Sequence, residues 1–174
     1  MNRRHIISVL VENHFGVLAR ISSLIAGRGF NIDSLTVGET EDPTVSRMTI
    51  VTRGDEQIIE QITKQLNRLI DVIKVTDMTE CAHVERELVL IKVAAPTAQT
   101  RTEVVQVVDV FRARVVDMST ATLTIEITGD SEKVDAFIEM IEPFGIKEMA
   151  RTGSVAMGRE RNGRASRGAE TRVA

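Results

Sequence analysis

Hydrophobic and polar positions change their period along the chain, and each change marks an element. His5 to Val11 is a short apolar run with β-branched residues, the pattern of a central strand buried on both faces. From Gly16 the apolar positions become Val17, Leu18, Ile21, Leu24 and Ile25, helical spacing with one core-facing stripe. Gly27 and Gly29 stop that helix, because glycine readily takes the conformation needed just beyond a helix end. Ile32 to Thr40 reads as a second strand and Glu41-Asp42-Pro43-Thr44 as a turn with proline at its second position. Val45 to Thr52 is a third strand, with Met48 and Ile50 on one face and Arg47 and Thr49 on the other. Gly54-Asp55 opens a helix with apolar Ile58, Ile59, Ile62, Leu66 and Leu69, and Val72 to Met78 is a fourth strand. The order is βαββαβ.

The pattern then restarts. Glu87 to Ala94 is a strand, Pro96 to Thr100 a loop, and Arg101 to Arg112 a helix carrying Val104, Val105, Val108 and Phe111. Arg114 to Met118 and Thr122 to Thr128 form a hairpin around Ser119-Thr120-Ala121. Gly129-Asp130-Ser131-Glu132 opens a helix with Val134, Phe137, Ile138 and Ile141. Pro143 to Gly145 ends it, and Ile146 to Arg151 is the last strand. Thr52-Arg53-Gly54-Asp55-Glu56 and Thr128-Gly129-Asp130-Ser131-Glu132 punctuate the two halves at equivalent places. The fold class is α+β, two ferredoxin-like βαββαβ units in tandem. Their expected bounds are 1–80 and 81–158, with a basic, disordered tail over 159–174. Units of roughly 70 to 75 residues gain stability by packing or dimerising. Split-βαβ order leaves the edge of Leu35 to Glu39 unpaired, so it can join a second copy in a homodimer.

Composition narrows the function. Net charge is −3, tryptophan and tyrosine are absent, and only five phenylalanines occur, which removes both the electrostatic pull and the stacking platforms of a nucleic-acid binder. No apolar run reaches membrane-spanning length and no leader opens the chain, so a cytoplasmic location is expected, without membrane contact. The single Cys81 excludes an internal disulfide and fits a reducing compartment. With His83 two residues on it is either a Cys–His nucleophile or an incidental thiol; no orienting group or glycine elbow accompanies the pair. The three histidines lack metal-ligand spacing, and Gly27-x-Gly29 lacks the third glycine of a dinucleotide site. No catalytic residue and no metal site are predicted.

The turn Asn13-His14-Phe15-Gly16 is the one place with binding chemistry. At Gly16 a strand hands over to a helix, so either backbone N–H groups and the positive end of the helix dipole are open to a small anion such as a carboxylate, or the glycine only makes the turn. Asn13 adds an amide that either binds a ligand or caps the helix. Asn31, starting the second strand, either reaches the pairing edge or serves only as a turn residue.

Val11-Glu12-Asn13-x-x-Gly16-Val17-Leu18-x-Arg20-Ile21, followed by Arg28-Gly29-Phe30-Asn31-Ile32-x-Ser34-Leu35-Thr36-Val37, resembles the ACT domain of the acetolactate synthase (acetohydroxyacid synthase) small regulatory subunit. Asp42-Pro43-Thr44-x-Ser46-Arg47-Met48-Thr49-Ile50 extends the resemblance, as do Glu85-Arg86-Glu87-Leu88, Phe111-Arg112-Ala113 and Glu142-Pro143-Phe144-Gly145-Ile146. It runs from about His5 to Gly158. The resemblance implies a non-catalytic regulatory subunit that activates a thiamine-diphosphate-dependent catalytic large subunit and confers feedback inhibition by valine, or another branched-chain amino acid, in branched-chain amino-acid synthesis. It implies no cofactor on this chain, with thiamine diphosphate, Mg and FAD on the catalytic subunit. The effector residues it implies are Asn13, His14, Phe15, Gly16, Val17 and Leu18 of one subunit, with Asn31 and Ile32 from its mate. His14 and Phe15 depart from the small and acidic residues usual in this loop. The second half, with Ala94-Ala95-Pro96-Thr97-Ala98 at the equivalent turn, is assigned coupling or activation and no amino-acid site. An ACT-type sensor regulating another enzyme or a transcriptional partner is the alternative.

Overall fold

The computed structural model describes residues 3–28 and 30–159. The predicted helix stop at Gly29 and nearly all of the predicted tail lie outside that set. The described residues form two compact units, one from those up to Val84 together with 154–159, the other Glu85–Gly153.

The first unit contains β1 (Arg3–Glu12), α1 (Val17–Ala26), β2 (Ile32–Glu39), β3 (Val45–Gly54), α2 (Glu56–Leu66) and β4 (Val72–Asp77). Its strands are ordered β2-β3-β1-β4 and all neighbours are antiparallel. Alternation along the strands divides the side chains between two faces. Ile7, Val9 and Val11 of β1 and Met48 and Ile50 of β3 pack under Val17, Ile21 and Ile25 of α1 and Ile59, Ile62 and Leu66 of α2. Each such fully buried aliphatic side chain stabilises the fold by about 1.5–3 kcal/mol relative to exposure. Helix α2 is closed at its start by Asp55, whose carboxylate accepts from Ile58 N at 2.9 Å.

The second unit repeats the topology with β5 (His83–Ala94), α3 (Ala98–Val110), β6 (Arg114–Met118), β7 (Thr122–Gly129), α4 (Ser131–Ile141) and β8 (Ile146–Arg151), ordered β6-β7-β5-β8. Val89, Ile91, Val93, Leu123, Ile125 and Ile127 meet Val104, Val108, Val134, Phe137 and Ile141 in its core. Phe111 and Phe137 stack edge to face with ring centroids 5.3 Å apart. Helix α3 starts before the predicted Arg101, because Thr97 caps it by accepting from Thr100 N at 3.1 Å. The buried Glu87 carboxylate accepts from Arg151 Nε at 2.5 Å, and Arg151 Nη1 reaches Asp135 at 2.8 Å.

A ninth strand, β9 (Val155–Gly158), was not anticipated from the pattern. It is too short to show a period; it pairs with β5, while its residues group with the first unit. Ala156 is buried with Ile6, Val51 and Met78 on the sheet face opposite the helices. The units therefore differ from the 1–80 and 81–158 division read from the sequence: residues 154–158 leave the second unit and cover the open face of the first. An uncovered βαββαβ sheet would expose that apolar patch, which is the physical reason for the return.

Candidate functional site

The loop between β1 and α1 is built by backbone geometry more than by side chains. Gly16 has φ +90°, a left-handed conformation that turns the chain from strand into helix at no steric cost to glycine. No side chain caps α1, whereas Asp55, Thr97 and Asp130 cap the other three α-helices. Asn13 does not cap it either. Its Nδ2 donates to Pro43 O at 2.9 Å and to Glu39 Oε1 at 3.1 Å, and its backbone N donates to Thr44 O at 2.7 Å. These bonds tie the loop to the last residue of β2 and to the β2–β3 turn. That turn is itself ordered by Asp42, which accepts from Thr44 N at 2.9 Å and Thr44 Oγ1 at 2.6 Å. The Thr44 hydroxyl, then its amide, hold the Asp42 carboxyl below its usual range.

On the other side, His14 Nε2 lies 3.2 Å from Asp71 Oδ1 and 3.3 Å from Glu12 Oε2, while Nδ1 faces Phe15 O at 3.3 Å. Asp71 is buried and pairs with Arg20 of α1. Glu12, His14 and Asp71 offer three potential metal-ligand atoms within 4.8 Å of one another. With Arg20 on the second oxygen of Asp71, the group acts as a polar brace between the loop, α1 and the start of β4.

The structure brings Asn13 to Leu18 into this one loop, with different exposures. Phe15 is fully exposed, Leu18 half exposed, and the Val17 side chain is buried in the core. Asn31 and Ile32 are elsewhere. Ile32 pairs with Thr52 and Glu39 with Ser46, so the start of β2 lies at the opposite end of the sheet from the loop. At the rise of an antiparallel strand the separation is about 23 Å. Asn31 bonds Asp33 Oδ1 through Nδ2 and accepts from Thr52 Oγ1 at 2.6 Å. Sequence reasoning missed Glu39, Asp71 and Arg20 as supports of the loop; their contacts link positions 26 and 51 residues apart, and no local pattern reports them. The Cys81–His83 pair makes no nucleophile geometry: His83 Nδ1 meets the Cys81 carbonyl at 2.7 Å rather than its thiol.

A family model described as the small subunit of acetolactate synthase matches residues 86–160, and one described as an AHAS small subunit-like ACT domain matches residues 7–74. The chain belongs to the acetolactate synthase small subunits. It is 59% identical over 158 residues to the acetolactate synthase small subunit of Aquifex aeolicus, covering 91% of this chain and 82% of that protein. It is 54% identical over 155 residues to the corresponding subunit of Mycolicibacterium smegmatis, covering 89% and 91%. The crystal structure of the acetolactate synthase small subunit from Thermotoga maritima superposes with TM-score 0.83 at 45% identity, covering 91% of this chain and 99% of that one. The family is regulatory and non-catalytic. Membership implies a catalytic large subunit as partner. No helix among the described residues is long and apolar enough to cross a membrane.

Proposed function

We propose that this chain is a homodimeric, cytoplasmic regulatory subunit that activates the catalytic subunit of acetolactate synthase and inhibits it when valine, or a closely related branched-chain amino acid, is bound. The observation that carries this reading is the uncapped start of α1 at the left-handed Gly16, tied through Asn13 to the end of the edge strand β2. Backbone N–H groups at such a helix start suit a carboxylate, and the amide oxygen of Asn13 is an acceptor for an ammonium group.

The edge supplies the rest of the site. β2 has a sheet neighbour, β3, on one side only. If two copies pair β2 antiparallel about its midpoint, Ile32 of the second copy comes opposite Glu39 of the first. Asn31 and Ile32 of one subunit then approach the Asn13 loop of the other, where their own loop is out of reach. An effector held this way bridges two subunits, so its binding energy depends on their arrangement, which is the requirement for allosteric coupling. The capped start of α3 supports a different task for the second unit, coupling to the catalytic subunit. Thiamine diphosphate, Mg and FAD belong to that partner.

Gly16→Asp tests the reading. Like charges in a partly desolvated interface cost several kcal/mol, and about 1.4 kcal/mol already means a tenfold loss of affinity. The variant should still activate the catalytic subunit and should no longer transmit valine inhibition. Retained wild-type inhibition at saturating valine would refute the site.

A further inference from the structure

The chain leaves the first unit after Val84 and re-enters it at Ser154. Ser154 is wholly buried, although it is polar. Its backbone N donates to Ser34 Oγ at 3.0 Å, its carbonyl accepts from Thr36 Oγ1 at 2.7 Å, and its Oγ accepts from Arg4 Nη2 at 3.0 Å. Ser34 and Thr36 belong to β2 and Arg4 to β1, the strands on either side of β3. Ser154 thus clamps the edge strand to the centre of the sheet across the back of β3. Ala156 completes the clamp, its side chain buried on Ile6, Val51 and Met78 and its N within 3.5 Å of Thr49 Oγ1 on β3.

The clamp lies where β2 needs one. The β2–β3 register shifts between Ile32 and Ser34, so the ladder is interrupted at the start of the strand. An edge strand with an irregular ladder on its one paired side is free to move unless something else holds it. The Ser154–Ser34 bond falls at that irregularity.

We propose that Ser154 is a positioning residue of the regulatory site: the returning segment sets the conformation of β2, and through it the effector response. This rests on the effector reading above. It extends that reading by making residues distant in sequence from the ACT domain part of the regulatory unit.

Two substitutions at Thr36 separate a hydrogen bond from mere packing. Thr36→Val keeps the size and β-branching but cannot donate to Ser154 O; Thr36→Ser keeps the hydroxyl and loses a methyl group. Assayed as full-length chain with the catalytic subunit, Thr36→Val should raise the valine concentration for half-inhibition by about three- to tenfold, the scale of one lost hydrogen bond. Thr36→Ser should remain within about twofold of wild type, since its donor is retained. Hydrogen exchange on full-length chain without valine is the second readout. Amides of residues 34–39 should exchange faster, by about tenfold, in Thr36→Val and at the wild-type rate in Thr36→Ser. Wild-type exchange and inhibition in Thr36→Val, or equal losses in both variants, would overturn the proposal. A wild-type chain that does not respond to valine would defeat the effector reading, while the exchange comparison would still decide whether Ser154 positions β2.

Discussion

Gly16 is where a single residue decides most. An added Cβ there would meet no atom within 4 Å, so a substitution is resisted by backbone strain at φ +90° and not by crowding. Gly16→Ala should lower stability by about 1–2 kcal/mol and Gly16→Asn by less, because asparagine tolerates the left-handed region. Urea midpoints of the two variants check this. Asp42 gives a pH signature. A carboxyl held low by Thr44 contributes stability above its ordinary value of 3.8 and loses it as pH falls through its depressed value. Asp42→Asn should therefore be less stable than wild type at neutral pH, with the difference vanishing in strong acid. Urea unfolding of both proteins across pH decides it, and a gap that persists in acid would contradict the assignment. In the second unit Arg151 has the converse role: burial opposes its charge, but Glu87 and Asp135 raise its pKa further. Arg151→Met should cost about 1.5–3 kcal/mol by removing the charged donor from a buried carboxylate.

At the scale of elements, β2 and the starts of the helices matter most. β2 is an edge strand whose Val37 is about half exposed, and on the proposed pairing it borders a second copy. Val37→Lys places a charge of the kind that protects natural edges from pairing. Sedimentation should then report the mass of one chain where the parent gives two, and valine should no longer inhibit; an unchanged dimer would move the interface elsewhere. The equivalent turns of the two units have diverged through their caps. Before α1 the left-handed Gly16 leaves the first turn without a side-chain partner, while before α3 Thr97 supplies one. On the proposed reading, the same topology leaves a helix start open to a carboxylate in one unit and caps it in the other.

For the whole molecule, the returning segment changes what counts as a unit. A fragment ending at Glu80 has every βαββαβ element of the first unit but lacks Ser154 and Ala156, so it uncovers Ile6, Val51 and Met78. Exposing buried aliphatic surface costs about 25 cal/mol per Å². The fragment should melt lower than one in which residues 154–159 are rejoined after Val84 by a flexible linker, and should aggregate more readily. Equal melting temperatures would show that the return adds nothing to the first unit.

Local pattern was enough to read the tandem βαββαβ order, the faces of β3 and the Asp55 and Asp130 helix starts, because periodicity and capping are short-range properties. The family was legible for a related reason: its motif residues occupy loops and caps whose spacing is fixed by the elements around them. The supports of the Asn13 loop, the placement of Asn31 at the far end of the sheet and the clamp at Ser154 were not legible. Each joins positions that come together only when the strands take their register, and nothing in a short strand such as Val155–Gly158 states which sheet it will cover. Tertiary structure decided that assignment through the need to bury one apolar face, a demand belonging to the packed sheet rather than to the residues that meet it.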